Sequence, residues 1–170
     1  MDKPKGLADR IETWMRKIPG VRTYMEREHR RETDKRLREH LASRLQESRS
    51  LAKKIALDLT TKRQMESLAK LDRFSSHLQQ MADTIRYASY GYSGVFDLEK
   101  IREEELDRLY SFDLSLVEEL ERIQKSVGEI GPAATREARE KKIGEADTLL
   151  DSLEIKFNQR KELISQPPQK

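Results

Sequence analysis

The chain has 170 residues, of which 38% are charged and 35% hydrophobic, and its 34 basic and 31 acidic residues leave a formal net charge of +3. A compact domain of this length ordinarily carries about 25% charged and nearly half apolar residues, so the composition argues against a thick spherical core, and the low net charge argues against disorder. The absence of cysteine excludes disulfides, thiolate metal sites and a thiol nucleophile.

Residues 1–20 are predicted to form a short amphipathic helix that ends at Pro19-Gly20. Its apolar side chains share one face at helical spacing: Leu7, Ile11, Trp14, Met15 and Ile18. Basic residues flank this face, and an indole ring suits the boundary between lipid and water. Two interpretations are open: the helix covers one end of the bundle, or its apolar face docks to a membrane surface or a partner groove.

Residues 21–87 contain neither glycine nor proline and carry an apolar stripe with spacings of three and four. They form either one helix of about 100 Å, at about 1.5 Å per residue, or two helices with a break near Thr60-Thr61. The sequence slightly favours two helices, because Thr61-Lys62-Arg63-Gln64 matches a capping box. The stripe comprises Leu37, Leu41, Leu45, Leu51, Ala52, Ile55, Leu59, Met65, Leu68, Leu71, Leu78, Ala82 and Ile85.

A turn is predicted at 88–96, in the most aromatic part of the chain. Three of the five tyrosines and one of the four phenylalanines lie here around two glycines: Tyr87, Tyr90, Tyr92 and Phe96. The glycines allow a tight change of direction. The aromatic side chains either plug the end of the bundle or form a contact surface for a partner, since tyrosine is favoured at interfaces.

A third helix is predicted to begin at Phe96-Asp97, where Asp97 can cap the backbone amides. A break at 128–133 ends it, with Gly131 at the exit and Pro132 in the first turn of the last helix. Residues 165–170 form a predicted disordered tail. The two stripes comprise Leu98, Ile101, Leu109, Phe112, Leu116, Leu120, Ile123, Val127 and Ile130, and then Ile143, Ala146, Leu150, Leu153, Phe157 and Ile164.

These patterns predict an all-α fold, with residues 21–164 as an elongated antiparallel helical bundle or coiled-coil hairpin behind the short amphipathic N-terminal helix. Acid-to-base pairs four residues apart, such as Asp34–Arg38, indicate wet outer faces. The charge is polarised, since residues 1–70 hold 19 basic against 11 acidic residues and residues 71–170 hold 15 against 20. We favour pairing of the two halves within the bundle over pairing between copies or attraction to an anionic partner.

No candidate for catalysis or metal binding emerges from the spacing of reactive residues. No nucleophile–base–acid set is recognisable, so we expect no enzymatic activity, no cofactor and no small-molecule substrate. A metal site is not expected either, because Glu26 and His29 form a single Glu-x-x-His spacing where a carboxylate-bridged site needs two.

The sequence-based hypothesis is therefore a non-enzymatic helical scaffold or adaptor that self-associates or binds a helical protein. We expect it to be cytoplasmic, because its N-terminus has no secretory pattern, and peripheral to an anionic membrane if its N-terminal helix meets lipid. Nucleic-acid binding through the basic N-terminal half is the alternative, although acidic residues offset most of the basic stretch 27–38. In layout alone, a short amphipathic helix before long helices, the chain resembles the phage-shock type of peripheral membrane proteins.

Overall fold

The computed structural model describes residues 30–88 and 103–165, which form four α-helices packed as a bundle. The all-α prediction is confirmed for these residues. The predicted N-terminal helix, residues 89–96 of the predicted turn, the predicted start of the third helix at Phe96-Asp97 and residues 166–170 of the predicted tail lie outside them. Ser165, the predicted start of the disordered tail, is instead the last residue of the last helix. The helices are α1 (Arg30–Thr61), α2 (Leu68–Arg86, preceded by a 3₁₀ turn at Met65–Ser67), α3 (Glu103–Ile130) and α4 (Arg136–Ser165).

The bundle consists of two helical hairpins that lie side by side. The first hairpin is α1 with α2 and the second is α3 with α4, while α1 also packs against α3 and α2 against α4. The α1–α2 pair is antiparallel, because Gln46 Nε2 donates to Gln79 Oε1 (3.0 Å) and Arg38, near the start of α1, reaches the backbone of Arg86 at the end of α2. This arrangement places α1 and α4 on one diagonal of the bundle and α2 and α3 on the other.

The two hairpin turns lie together at one end of the bundle, here called the turn end. Arg139, on the first part of α4, donates through Nη2 to Gln64 Oε1 (3.2 Å) in the first turn and to the carbonyl oxygen of Ala133 (3.1 Å) in the second. The opposite end, here called the open end, therefore carries the start of α1, the end of α2, the start of α3 and the end of α4.

The apolar stripes of all four helices face inward and form one core. Most of the predicted stripe residues that the structure describes are buried. Two lie at the surface: Met65, in the 3₁₀ turn, is 55% exposed, and Leu51 is 38% exposed, with Ser48 in the inward position instead. The reason is the helical period, since Leu45, Ser48, Ala52 and Ile55 follow spacings of three and four that leave Leu51 at the edge. The buried Ser48 hydroxyl is satisfied because it donates to the carbonyl oxygen of Arg44 (3.1 Å).

The break between α1 and α2 falls where the sequence suggests, but the capping box predicted there does not form. Thr61 is the last residue of α1, and its hydroxyl donates back to the carbonyl oxygen of Leu57 (3.0 Å) rather than capping a new helix. The amide of Gln64 bonds to the oxygen of Leu59 (2.9 Å), and Arg63 adopts a left-handed φ of 58°. These are the features of a Schellman motif, so the signal at this site ends a helix rather than starting one.

The break between α3 and α4 spans residues 131–135. Gly131 follows the last residue of α3 as predicted, but Pro132 belongs to the turn and not to the first turn of α4. Thr135 provides the start signal that the sequence analysis missed, because its Oγ1 accepts from the backbone N–H of Ala138 (3.2 Å). A threonine in this position caps the exposed amides of a new helix.

Much of the charge polarity of the chain is matched by helix placement. α1 contains nine basic against five acidic residues, whereas α3 contains three against nine, and these two helices pack against each other. Lys70 on α2 also pairs with Glu140 on α4 (2.5 Å). The described helices thus bring basic and acidic parts of the chain together within the bundle.

His40 lies at the contact between these oppositely charged helices, and its burial has a consequence for stability. Burial lowers the pKa of His40 below its ordinary 6.5 and the charge of Arg44 lowers it further, while Glu47 and Glu121 oppose the shift. A lowered pKa means that the unfolded state binds the proton more readily. The contribution of His40 to stability is therefore complete above about pH 6.5 and is lost as the pH falls through the lower pKa of the folded state.

We expect the free energy of unfolding, measured by urea titration, to fall between about pH 7.5 and about pH 5.5. A His40→Gln variant should show a shallower fall over the same interval, because it has lost the group that prefers to be protonated in the unfolded chain. Equal slopes in the two proteins would contradict this assignment.

Candidate functional site

Four charged side chains meet in the interior near the open end and form what we call the buried charge network: Asp34 and Arg38 on α1, Asp113 on α3 and Arg160 on α4. Arg160 is only 2% exposed and Asp113 is 0% exposed. The Arg160 guanidinium donates through Nη1 to Asp34 Oδ1 (2.7 Å), through Nη2 to Asp113 Oδ2 (3.3 Å) and through Nε to Asp113 Oδ1. It thus bridges two carboxylates from two other helices.

Arg38 extends the network to the remaining helix. Its Nε donates to Asp34 Oδ2 (2.9 Å), and its Nη1 donates to the backbone oxygen of Arg86 (3.0 Å), the last residue of α2. The carbonyl groups at a helix end have no partner within the helix and attract positive charge. The network therefore contains two positive and two negative groups and links all four helices.

The Asp34–Arg38 pair forms as predicted, but the prediction that such pairs mark wet faces is wrong here. Both side chains are largely buried, because Arg160 brings a second guanidinium and a second carboxylate to them from across the bundle. A buried carboxylate is tolerated only where opposite charge and hydrogen bonds compensate the loss of water. The pair is thus part of the interior packing.

The sequence carries a signal for the buried charge network. Asp113 lies four residues after Leu109 and three before Leu116, so it occupies a core position of the α3 stripe. Arg160 likewise lies three residues after Phe157 on the α4 stripe. One acid and one base at core positions of two helices are typical of a buried ion pair, because neither would be buried alone.

A second buried charge lies further along the α3–α4 contact. Glu119 on α3 is buried and accepts hydrogen bonds from Lys156 Nζ on α4 and from Arg122 Nη1 (3.3 and 3.4 Å) on its own helix. The carboxylate is therefore neutralised from two sides. Like the network, this contact ties α3 to α4 through charge.

A different set of titratable groups lies at the surface between α2 and α4, and we call it the His77 cluster: His77 on α2 with Asp147, Asp151 and Glu154 on α4. His77 Nδ1 lies 2.8 Å from Asp147 Oδ1, and its Nε2 lies 3.9 Å from Asp151 Oδ1. Ligand-type atoms of His77, Asp151 and Glu154 all lie within 4.8 Å of one another. His77 is half-buried, whereas Asp151 and Glu154 are exposed. The cluster joins side chains of α2 and α4, and His77 and Asp147 are 70 positions apart in sequence. A spacing pattern within one helix therefore could not predict it.

The predicted docking face of Leu7, Ile11, Trp14, Met15 and Ile18 lies outside the described residues, as do Tyr90, Tyr92, Phe96 and the Glu26–His29 spacing. Tyr87 is described, and at 75% exposure it does not plug the bundle. Within the described ranges, no helix combines the length and apolarity that crossing a bilayer requires.

No protein-family model, curated protein or solved structure matches this chain. The fold class therefore follows from the structure alone. Over residues 30–88 and 103–165 the chain is an all-α four-helix bundle with a four-residue charge network in its interior and a histidine–carboxylate cluster on its surface.

Proposed function

We propose that the protein is a non-enzymatic helical scaffold or adaptor, in which the bundle presents interaction segments from its open end. Its N-terminal segment docks to an anionic membrane surface or a protein partner, and the protein self-associates or binds another helical protein there. The observation that supports this proposal is the common location of the chain exits. α1 begins at Arg30, α2 ends at Arg86 and α3 begins at Glu103, all at the open end.

Both segments for which the sequence predicts contacts are attached at this end. Residues 1–29 lead into Arg30, and residues 89–102, with Tyr90, Tyr92 and Phe96, join α2 to α3. A rigid bundle that carries two such segments side by side holds them at high local concentration relative to each other. This favours a single composite binding region over two separate ones.

The charges of the bundle favour the scaffold over an enzyme or a nucleic-acid-binding protein. The four groups of the buried charge network bond to one another, so they serve packing rather than proton transfer. The basic α1 packs against the acidic α3, which weakens the positive field that binding to phosphates requires. The membrane and protein-binding interpretations therefore take precedence.

The docking proposal predicts that the full chain co-sediments with vesicles of phosphatidylserine and phosphatidylcholine and that its tryptophan emission shifts to shorter wavelength. Trp14 is the only tryptophan, so the emission reports on the docking face alone. Ile11→Glu with Met15→Glu should abolish both signals, because two carboxylates on that face oppose burial of its apolar side chains and are repelled by anionic lipid.

Leu57→Glu with Ile155→Glu is the matched control, since both residues lie on the bundle, are 68% and 59% exposed, and together gain the same charge. This variant should bind vesicles as the unmodified chain does. Mass in solution is then measured over a concentration series to detect self-association. A protein that stays in the supernatant when the vesicles are sedimented, and that stays monomeric at every concentration, would overturn the scaffold proposal.

A further inference from the structure

We propose that the His77 cluster is a binding site for a divalent transition-metal ion such as Zn²⁺. His77 Nε2 and carboxylate oxygens of Asp151 and Glu154 are the three protein ligands, and Asp147 is a positioning residue that orients the imidazole. The site lies on the α2–α4 surface and is independent of the proposed docking function.

The first argument is the orientation of His77. Its Nδ1 lies 2.8 Å from Asp147 Oδ1, and an ionised carboxylate can only accept a hydrogen bond. In the neutral imidazole the proton therefore resides on Nδ1, and the lone pair of Nε2 is free on the side of Asp151. Histidine ligands in metal sites are commonly held in this way, with the second ring nitrogen donating to a carboxylate.

The second argument is distance. Nε2 lies 3.9 Å from Asp151 Oδ1, and the three ligand atoms fall within 4.8 Å of one another. Ligand atoms that share one Zn²⁺ at about 2.0–2.2 Å are separated by about 3–3.6 Å. Closing the site thus takes shifts of roughly 1–2 Å, and these fall on exposed carboxylate side chains, whereas the half-buried ring is already positioned.

The third argument is helical placement and charge. Asp147, Asp151 and Glu154 follow spacings of four and three, so they lie on one face of α4 opposite His77. Among the described residues, no lysine or arginine forms an ion pair with any of these three carboxylates, and His77 is their only close basic partner. Three neighbouring negative charges repel one another, and a bound dication removes that repulsion.

The donor set selects the class of ion. One imidazole nitrogen with carboxylate oxygens suits Zn²⁺, Fe²⁺ or Mn²⁺, while Mg²⁺ and Ca²⁺ prefer oxygen ligands alone. Three protein ligands at a partly exposed site leave a further coordination position for water. The ion would also link α2 to α4, so its binding stabilises the folded chain by mass action.

The test is calorimetric titration of ZnCl₂ into the full chain after removal of metals with a chelator, together with thermal unfolding in the presence and absence of Zn²⁺. We expect binding of one ion per chain and a raised melting temperature. His77→Ala and Glu154→Gln should each weaken binding at least about tenfold, and Asp147→Asn should weaken it by about 10–100-fold through loss of orientation. Added Mg²⁺ should not displace Zn²⁺.

Two variants serve as matched controls. His40→Gln removes a histidine on α1, and Glu162→Gln removes an exposed carboxylate further along α4; both should bind Zn²⁺ as the unmodified chain does. Glu154 is exposed, so Glu154→Gln keeps the bundle intact even if His77→Ala disturbs it. No binding to the unmodified chain, or equal binding by Glu154→Gln and the unmodified chain, would overturn the proposal.

Discussion

Replacing Arg160 with methionine is expected to lower the free energy of unfolding by about 3–5 kcal/mol, which is the cost of removing one partner from a buried ion pair. Methionine fills a similar length of the interior but carries no charge. The change removes the Arg160 guanidinium from Asp113 and leaves Arg38 as the ion-pair partner of Asp34 among the described residues. The measurement is urea unfolding monitored by the helical circular dichroism signal at neutral pH.

A double substitution separates the loss of the Arg160–Asp113 ion pair from the cost of a buried carboxylate that has lost its Arg160 partner. Arg160→Met combined with Asp113→Leu removes both buried charges and keeps the Asp34–Arg38 pair, so we expect it to recover at least about half of the loss. Arg44→Met is the matched control, because the side chains of Arg44 and its partner Glu47 are both exposed and their pair should contribute less than about 1 kcal/mol. A loss below about 1 kcal/mol for Arg160→Met would contradict the structural importance of the network.

The sequence predicts the helices well because each of them must bury an apolar face. Leu37, Leu41 and Leu45 follow the helical period and are fully buried. The predicted stripe also runs through Leu51, but Leu51 lies at its edge, because the helical period places the polar Ser48 inward. Periodicity thus identifies a face more reliably than residue type does, and a small hydroxyl residue can occupy a core position when its own helix satisfies it.

The candidate sites were harder to predict because their members come from different helices. Asp34 and Arg160 are separated by 126 positions, and His77 and Asp147 by 70. A sequence pattern fixes which residues share one helix face but not which neighbouring helix that face meets. The exceptions are Asp113 and Arg160, whose core positions in two apolar stripes already indicate that each needs a buried partner of opposite charge.

Phe74 on α2 is the position at which a single truncation in the core should have the largest effect. It is the largest of the fully buried side chains in the described part of the chain, at 1% exposure, although the sequence analysis did not include it in the stripe. Its spacing of three from Leu71 and four to Leu78 continues that stripe.

Phe74→Ala should lower the free energy of unfolding by about 3–5 kcal/mol, because it removes the transfer energy of the ring and leaves a cavity that rigid neighbouring helices cannot fill. Leu57→Ala, at a 68% exposed site on α1, should change it by no more than about 0.5 kcal/mol. Both are measured by urea unfolding. Because Arg160 and Phe74 lie on different helices, the two losses should add in Arg160→Met/Phe74→Ala unless they share a neighbouring side chain. A Phe74→Ala loss no larger than that of Leu57→Ala would mean that α2 packs against the bundle by another face.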